Sequence, residues 1–272
     1  MTARARSRLG LFLGSTFALT WTCWWSLAAL ARKGVTAYGD PAFMAAYVLG
    51  GFGPTIGAYV AVIATVRDLP LREYHQRLAR WRVGTSWYAV ALGLPVALAL
   101  GARWLHAAVE PGKGDGPSPE PWQRLLPVFL TMVVGGGLEE LGWRGVLQPE
   151  LERRSARLPA TALVGVIWAV WHLPLFSIPG VPQHGQSAFV FAAEVLGTAF
   201  LLAWLYAGTG SILLCVLFHA AQNTSAAMGY GLPPGQDGAR LGAAAVKLLL
   251  GVALVAMSAP AAPRRKENSP AS

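Results

Sequence analysis

The sequence predicts an all-α polytopic membrane protein, an eight-transmembrane-helix bundle with an intramembrane polar cavity. Three observations lead to this fold class. The 272 residues are 54% hydrophobic and 13% charged, whereas soluble domains are about 25% charged. The apolar residues fall into runs of about 20, which is the length of one membrane span. The few ionisable residues inside these runs lie mostly in the second half of the chain, where they indicate a functional site.

Eight apolar runs are long enough to cross a bilayer as helices, which takes about 20 residues at the helical rise. We expect one transmembrane domain over residues 1–258 and a disordered polar tail over 259–272. The first run is longer than the core of a signal peptide and has no cleavage site of small residues, so we expect it to remain as the first span. The predicted spans are 9–31, 42–66, 87–106, 125–147, 158–178, 188–207, 210–229 and 240–258.

The basic residues predict the orientation of these spans. The net charge is +9, and the arginines and lysines concentrate in segments on the same side as the N-terminus. Because basic loops stay on the cytoplasmic side, we expect cytoplasmic termini in a protein of the cell membrane, with the lipid bilayer and no nucleic acid as a partner. The basic residues on this side are Arg4, Arg6, Arg8, Arg67, Arg72, Arg77, Arg80, Arg82, Arg153, Arg154, Arg157, Arg264, Arg265 and Lys266.

Two connecting segments have recognisable patterns. Between the second and third spans, Leu71, Tyr74, Leu78 and Trp81 recur at helical spacing with arginines between them, which predicts a short amphipathic helix at the cytoplasmic interface. We interpret this helix as a membrane-anchored connector, with a substrate gate as the alternative. The outer loop 107–122 is rich in glycine, proline and acidic residues, which is typical of an irregular surface loop.

The strongest chemical signal is the segment E-E-L-G-W-R in the fourth span. A charged side chain at bilayer depth costs ~2.5–3.5 kcal/mol on insertion scales, so such residues indicate function by default. Glu140 and Arg144 are four residues apart and share a helix face, whereas Glu139 points roughly 100° away from Glu140. We therefore expect Glu140 to pair with Arg144, and Glu139 to face the bundle interior.

Later spans add two histidines and an amide. Trp168 and His172 are one turn apart near the end of the fifth span, and Pro174 is expected to break the helix just after them. His219 and Asn223 are one turn apart in the seventh span, so both can face one cavity. Three other polar residues lie in the spans. We expect Gln222 to form a hydrogen bond between helices and Glu194 to have a partner that the sequence does not identify. We expect the Lys247 side chain to extend toward the membrane surface.

Two chemical uses fit this set of residues. In the first, Glu139 with His172 deprotonates a water that attacks a peptide carbonyl, and His219 and Asn223 donate hydrogen bonds to the developing oxyanion. In the second, Glu139, His172 and His219 bind zinc and leave one position open for water. The chain has no H-E-x-x-H segment, so local spacing gives no zinc signature and a metal-free site is favoured.

Three short motifs resemble those of a known family. The segment 139–144 is similar to the E-E-x-x-x-R motif of the CAAX-protease and bacteriocin-processing (CPBP) family, also called the ABI or Rce1-like family. His172 is similar to the family's F-x-x-x-H motif, with Trp168 in place of the usual phenylalanine. His219-x-x-x-Asn223 resembles the later H-x-x-x-N motif. We interpret the aromatic exchange at Trp168 as a change at a packing position.

This resemblance, which covers 139–223, implies an eight-helix membrane endopeptidase acting on membrane-associated or lipidated proteins. Family members are often labelled metalloproteases, but a glutamate-activated water without a cofactor is the mechanism we favour, with zinc as the alternative. The implied catalytic residues are Glu139 and His172, which activate water, and His219 and Asn223, which stabilise the oxyanion; Glu140, Arg144 and Trp168 are supporting residues.

Two other functions stay open at this point. The chain has the features of a non-catalytic immunity or scaffold protein of the membrane. It also has those of a small proton-coupled transporter, in which Glu139 and the histidines would relay protons. The sequence shows no inverted repeat with paired broken spans, which disfavours the transporter.

Overall fold

The computed structural model describes residues 3–67, 69–110, 119–233 and 235–258, with side chains from residue 8 onward. The predicted tail 259–272 lies outside these ranges, as do residues 111–118, half of the predicted outer loop. Every regular element in the described ranges is helical, which confirms the all-α prediction. The α-helices are α1 (Ala3–Arg32), α2 (Pro41–Gly51), α3 (Gly53–Ala64), α4 (Leu71–Leu78), α5 (Thr85–Val109), α6 (Leu125–Gly135), α7 (Glu140–Gly142), α8 (Gln148–Glu152), α9 (Arg157–Trp171), α10 (Ala188–Thr209), α11 (Ile212–Ala227) and α12 (Asp237–Met257).

All eight predicted runs are helical, and the chain is a multi-pass membrane protein, but a count of eight spans is not confirmed. The helices α2 and α3 meet at an angle of 46° and add a sixth candidate only if the pair is one span. Helix α1 has 30 residues, but its tryptophans and threonines lower its mean hydropathy, and α11 has only 16 residues. The described helical segments that are long and apolar enough to cross a membrane are five: Thr85–Val109, Trp122–Glu152, Arg157–Ser177, Ala188–Thr209 and Asp237–Met257.

The helices pack around one central layer that carries the polar residues. Helix α10 packs along α12 and also against α9, while α11 packs against α5 and α6, and α1 packs against α2 and α3. A buried ion pair joins the first helix to the middle of the chain, because Arg8 Nη1 lies 2.7 Å from Glu150 Oε1. Arg8, assigned above to the cytoplasmic basic residues, is therefore buried against α8.

The predicted amphipathic helix is shorter than expected. Helix α4 ends at Leu78, and Trp81 lies beyond it with 59% of its surface exposed. Arg82 lies over the Trp81 ring, 4.9 Å from its centroid. The inward face of α4 is anchored by Tyr74, which is fully buried and donates a hydrogen bond to the Leu141 carbonyl at 2.8 Å. This helix therefore touches the segment that carries the paired acids.

Contacts between α10, α11 and α12 give the hydrogen-bond partners of the other polar residues in the spans. Glu194 has its partner in Arg240, whose Nε and Nη2 lie 3.0 and 2.9 Å from the two carboxylate oxygens. Gln222 bonds between helices as predicted, accepting from Thr198 Oγ1 at 3.1 Å. The expectation for Lys247 was wrong, because its Nζ points inward to Thr198 and Gln222, at 3.4 Å from each. In this position Lys247 serves the contact between helices.

Candidate active site

The segment that carries the paired acids lies in one candidate span, Trp122–Glu152, as the sequence predicts, but its helical hydrogen bonding is interrupted. We call this interrupted segment the broken helix. Helix α6 ends at Gly135, and a 3₁₀ turn (Gly137–Glu139) leads into the short α7. A π-helical turn (Trp143–Leu147) then connects α7 to α8. Such π-turns are rare and occur frequently at functional sites.

Glycine at position 136 allows this break to lie against α11. A Cβ atom on Gly136 would overlap Asn223 Nδ2 and would lie 3.5 Å from His219 Nε2. The missing side chain therefore lets the backbone approach both residues of the predicted H-x-x-x-N motif. The G-G-G sequence at 135–137 was a visible signal for this break, and the sequence analysis did not use it.

The break also frees backbone carbonyls, and neighbouring helices satisfy them. A regular helix would bond each carbonyl to the amide four residues on, whereas a broken one leaves acceptors without partners. Thr55 Oγ1 on α3 donates to the Leu138 carbonyl at 2.8 Å. Tyr74 on α4 donates to the Leu141 carbonyl. Two hydroxyl groups from different helices thus hold the broken segment in place.

Glu139 is held by two tryptophans. It is 7% exposed. Trp143 Nε1 donates to its Oε2 at 3.1 Å, and Trp168 Nε1 donates to the same oxygen at 2.9 Å. No described residue donates a hydrogen bond to the other oxygen, Oε1. Glu139 therefore faces the bundle interior as expected, but it is fixed by neutral donors. The sequence analysis missed Trp143, although it lies one helical turn after Glu139.

Glu140 forms the ion pair with Arg144 that the sequence predicts for one of the two acids. Arg144 Nη1 lies 2.9 Å from Glu140 Oε2, and both side chains have no exposed surface. His219 Nδ1 lies 3.0 Å from Glu140 Oε1. Because a carboxylate oxygen accepts hydrogen bonds, the Nδ1–H of His219 is the donor in this bond. Glu140 thus ties the broken helix to α11 and leaves Nε2 of His219 facing Gly136.

The end of α9 fixes the orientation of His172. Pro174 stops the helix as predicted, and the His172 amide bonds to the Ala169 carbonyl instead of continuing the regular pattern. This leaves the Trp168 carbonyl without its usual amide, and the ring Nδ1 of His172 donates to it at 2.8 Å. With Nδ1 protonated, Nε2 is the nitrogen of His172 that is available for chemistry.

Trp168 contacts the other members of the predicted set. Its ring lies 5.2 Å from the His219 ring, centroid to centroid, and 5.1 Å from the Arg144 guanidinium carbon. It also bonds to Glu139 through its indole and to His172 through its carbonyl. The structure therefore gathers Glu139, His172 and His219 around one tryptophan. Trp168 packs in the core as expected, and its hydrogen bond to Glu139 is a contact that the motif did not predict.

The gathered side chains form a packed polar cluster in place of an open cavity in this conformation. Glu139, His172 and His219 have 7%, 8% and 4% of their surface exposed. Asn223 is half-buried beside Gly136, on the same side as His219 Nε2.

The residues that the sequence offered for a metal centre were compared with the geometry that a metal needs. In the ranges that the structure describes, no group of three His, Cys, Asp or Glu side chains is placed to hold a metal ion. Oε2 of Glu139 accepts two indole N–H groups, whereas Oε1 of Glu139 and Nε2 of His172 and of His219 have no described hydrogen-bond partner. An imidazole that donates its Nδ1–H to a carboxylate can bind a metal through Nε2, so removal of metal is the test of the zinc alternative.

The segment with this geometry matches a known family. Residues 121–225 match the model of the type II CAAX prenyl endopeptidase Rce1-like family. The matched segment is similar to this family and makes up less than half of the chain. The match includes the broken helix, α9, α10 and most of α11, so it covers every residue of the cluster described above.

A curated protein is similar to part of this chain. It is the CAAX prenyl protease 2 of Methanococcus maripaludis, which is 30% identical over 101 residues. That alignment covers 35% of this chain and 37% of the relative. The chain thus aligns with little more than a third of the relative's length.

Proposed function

We propose that this protein is an intramembrane endopeptidase that hydrolyses peptide bonds of membrane-associated proteins. The observation that carries the proposal is the buried carboxylate of Glu139, which accepts a hydrogen bond from Trp168, the residue whose carbonyl also holds His172 and whose ring contacts His219. The match of residues 121–225 to the Rce1-like family model supports the same reaction. A buried acid with neutral donors on one oxygen and a free second oxygen is suited to accept a proton from water.

The first step is the activation of water. Oε1 of Glu139 takes a proton from a water molecule, which Nε2 of His172 orients by accepting a second hydrogen bond. The water oxygen then forms a bond to the carbonyl carbon of the substrate, and the carbonyl π-electrons move onto its oxygen. The bond from His172 Nδ1 to the Trp168 carbonyl keeps Nε2 unprotonated for this task.

The second step is the stabilisation and collapse of the tetrahedral intermediate. Nε2–H of His219 and Nδ2–H of Asn223 donate to the oxyanion, an interaction worth ~3–4 kcal/mol for one such donor elsewhere. Because Nδ1 of His219 already donates to Glu140, donation from Nε2 requires the imidazolium form, and the Glu140 carboxylate stabilises that charge. When the C–N bond breaks, Glu139 returns its proton to the departing amine. The products are a carboxylic acid and an amine, and transfer of a proton between them gives a carboxylate and an ammonium group.

We base the proposed substrate class and cellular location on the apolar helices that carry the site. The cluster lies on apolar helices, so its substrates are membrane-associated or lipidated proteins in the same bilayer. The relative is a prenyl protease by name, and a prenylated C-a-a-X peptide is the first probe for this chain. We place the protein in the cell membrane, with cytoplasmic termini and one domain over residues 1–258. No cofactor is needed for the steps above.

The experiment compares protein termini in membranes of the source organism. Four strains are used: wild type, a deletion, and the deletion complemented with Glu139→Ala or with Glu194→Gln. Glu194 is an acid of the bundle that pairs with Arg240 outside the cluster, which makes it a matched control. Termini shared by wild type and Glu194→Gln, but absent from the deletion and Glu139→Ala, support the proposal. Identical termini with Glu139→Ala at normal protein level would overturn it and favour a scaffold.

A further inference from the structure

One residue of the cluster, Trp168, has a hydrogen-bond donor that the usual residue at this position of the family motif lacks. The F-x-x-x-H motif ordinarily has phenylalanine where this chain has Trp168. Phenylalanine has no hydrogen-bond donor, whereas the indole N–H of Trp168 lies 2.9 Å from Glu139 Oε2. The exchange therefore adds a hydrogen bond directly to the acid that the proposed function makes the base.

The second donor to the same oxygen comes from the broken helix itself. Trp143 Nε1 lies 3.1 Å from Glu139 Oε2. The two indole rings are close to each other, with centroids 6.3 Å apart, and Trp143 is fully buried while Trp168 is 2% exposed. Rings that are packed this tightly cannot turn away from the carboxylate without opening the core. The two donors are thus held in place by packing on both sides.

We infer that Trp143 and Trp168 are positioning residues that fix Glu139 with Oε2 occupied and Oε1 presented to water. This inference rests on the proposed function. It assigns the base activity to one oxygen, because a carboxylate oxygen that accepts two N–H bonds is a weaker proton acceptor than its unbonded partner. Without the indoles the carboxylate can rotate about its last torsion and present either oxygen.

Trp168 connects this carboxylate to the histidine that orients the same water. Its N–H holds Glu139 and its carbonyl holds Nδ1 of His172 at 2.8 Å. One residue therefore sets the relative position of the two groups that act together in the first step. A substitution by phenylalanine keeps an aromatic ring and the backbone carbonyl but removes the N–H bond together with part of the indole ring, so an analogue that keeps the bicyclic shape and lacks the N–H is needed to isolate the effect on Glu139.

A spectroscopic experiment tests the geometry without a substrate. The chain has 11 tryptophans, and their indole N–H resonances are recorded by NMR on the full protein in detergent micelles with ¹⁵N-labelled tryptophan. The variants Trp143→Phe and Trp168→Phe assign two of the resonances. Glu139→Ala is expected to shift both assigned resonances upfield, as expected for lost hydrogen bonds, and to leave the Trp24 resonance in place. Unmoved Trp143 and Trp168 resonances would overturn the inference.

A kinetic experiment tests the effect on the reaction. The probe is a farnesylated, quenched-fluorescent peptide that ends in a C-a-a-X sequence, and the enzyme is the full chain in liposomes. Trp168→Phe is expected to lower kcat about tenfold, the effect of one hydrogen bond to a charged group, with KM changed less than about twofold. Replacing Trp168 by 3-benzothienyl-alanine, which keeps the shape and lacks the N–H, should reproduce this loss.

The control variant is Trp24→Phe, which also removes one indole hydrogen bond, here to the Tyr47 carbonyl at 3.0 Å, away from Glu139. It should leave kcat unchanged. Wild-type kcat in Trp168→Phe, with Glu139→Ala inactive in the same assay, would overturn the inference and leave the proposed function standing. Cleavage by Glu139→Ala would overturn the proposed function as well.

Discussion

His219 Nδ1 lies 3.0 Å from Glu140 Oε1, and this bond joins the broken acidic helix to α11. The same carboxylate pairs with Arg144 at 2.9 Å, and all three side chains are buried. One acid thus supports both the position and the charge of the histidine that we assign to the oxyanion. The neighbouring acid, Glu139, bonds only to neutral donors in the described structure. Two adjacent glutamates therefore have separate tasks.

The first prediction concerns the buried ion pair of Glu140 and Arg144. Glu140→Gln leaves the Arg144 charge without a partner, and breaking a buried pair in this way typically costs about 3–5 kcal/mol. We expect a clear fall in thermal stability in detergent, together with loss of cleavage. The control is Glu120→Gln, whose pair with Arg124 is exposed, with 41% and 61% of the side chains accessible. Exposed pairs contribute less than about 1 kcal/mol. Equal melting temperatures for the two variants would contradict the assignment of Glu140.

The second prediction concerns the close approach at Gly136. A Cβ atom there overlaps the end of the Asn223 side chain, which can turn aside at little cost to folding. Gly136→Ala should therefore keep the melting temperature within a few degrees and displace Asn223 from the oxyanion position. We expect cleavage to fall by about 100-fold, the typical effect of losing one such donor.

Gly135→Ala is the matched control for this change, because no atom lies within 4 Å of the Cβ it would add. It should cleave like wild type. If Gly136→Ala cleaves as well as Gly135→Ala, Asn223 does not act from its present position.

The third prediction concerns the hydroxyl group that ties α4 to the broken helix. Tyr74→Phe removes the bond to the Leu141 carbonyl, and a buried hydrogen bond of this kind contributes about 1 kcal/mol. The control is Tyr88→Phe, whose hydroxyl donates to the Trp81 carbonyl at 2.7 Å in an exposed position. We expect only the first variant to lower the melting temperature. An equal effect of both variants would show that α4 does not hold the acidic segment.

Tyr74 also gives the protein a pH dependence that can be measured. Burial raises the pKa of Tyr74 well above its ordinary value, so the folded protein keeps this proton while the unfolded chain loses it above pH ~10. The stability that this group provides is complete below pH ~10 and falls as the pH rises further. Melting curves between neutral and strongly alkaline pH should show a weaker decline in Tyr74→Phe than in wild type. An identical decline would contradict the buried, neutral hydroxyl.

The fourth prediction concerns metal dependence. The proposed steps use Glu139 and His172 on water directly, and Oε2 of Glu139 accepts two indole N–H groups. Cleavage is therefore expected to survive dialysis against a strong chelator, with metal content checked by elemental analysis. Loss of cleavage that zinc alone restores would support the zinc alternative and contradict the metal-free mechanism.

Patterns of local sequence predicted some parts of this structure well. The apolar runs gave the places of the helices, Pro174 gave the end of α9, and the spacing of four residues gave the Glu140–Arg144 pair. Each of these depends on neighbours within one or two helical turns. The same spacing links Glu139 to Trp143, so that contact was also within reach of the sequence.

Other parts depend on contacts between distant segments and could not be read from local patterns. The bond between Trp168 and Glu139 joins residues on different helices, and so does the one between Tyr74 and Leu141. The motif suggested that Trp168 replaces a packing phenylalanine, because a motif compares residue types and does not show where an N–H group points. The break after Gly135 likewise depends on the approach of α11.

The most direct measurement adds purified protein to membranes of the deletion strain in water enriched with oxygen-18, and reads new protein C-termini by mass spectrometry. Hydrolysis by the proposed mechanism places one labelled oxygen in each new carboxylate. We expect labelled termini with the wild-type protein and none with Glu139→Ala. Labelled termini of the same identity and amount with Glu139→Ala would contradict the account, because peptide hydrolysis would then proceed without its base.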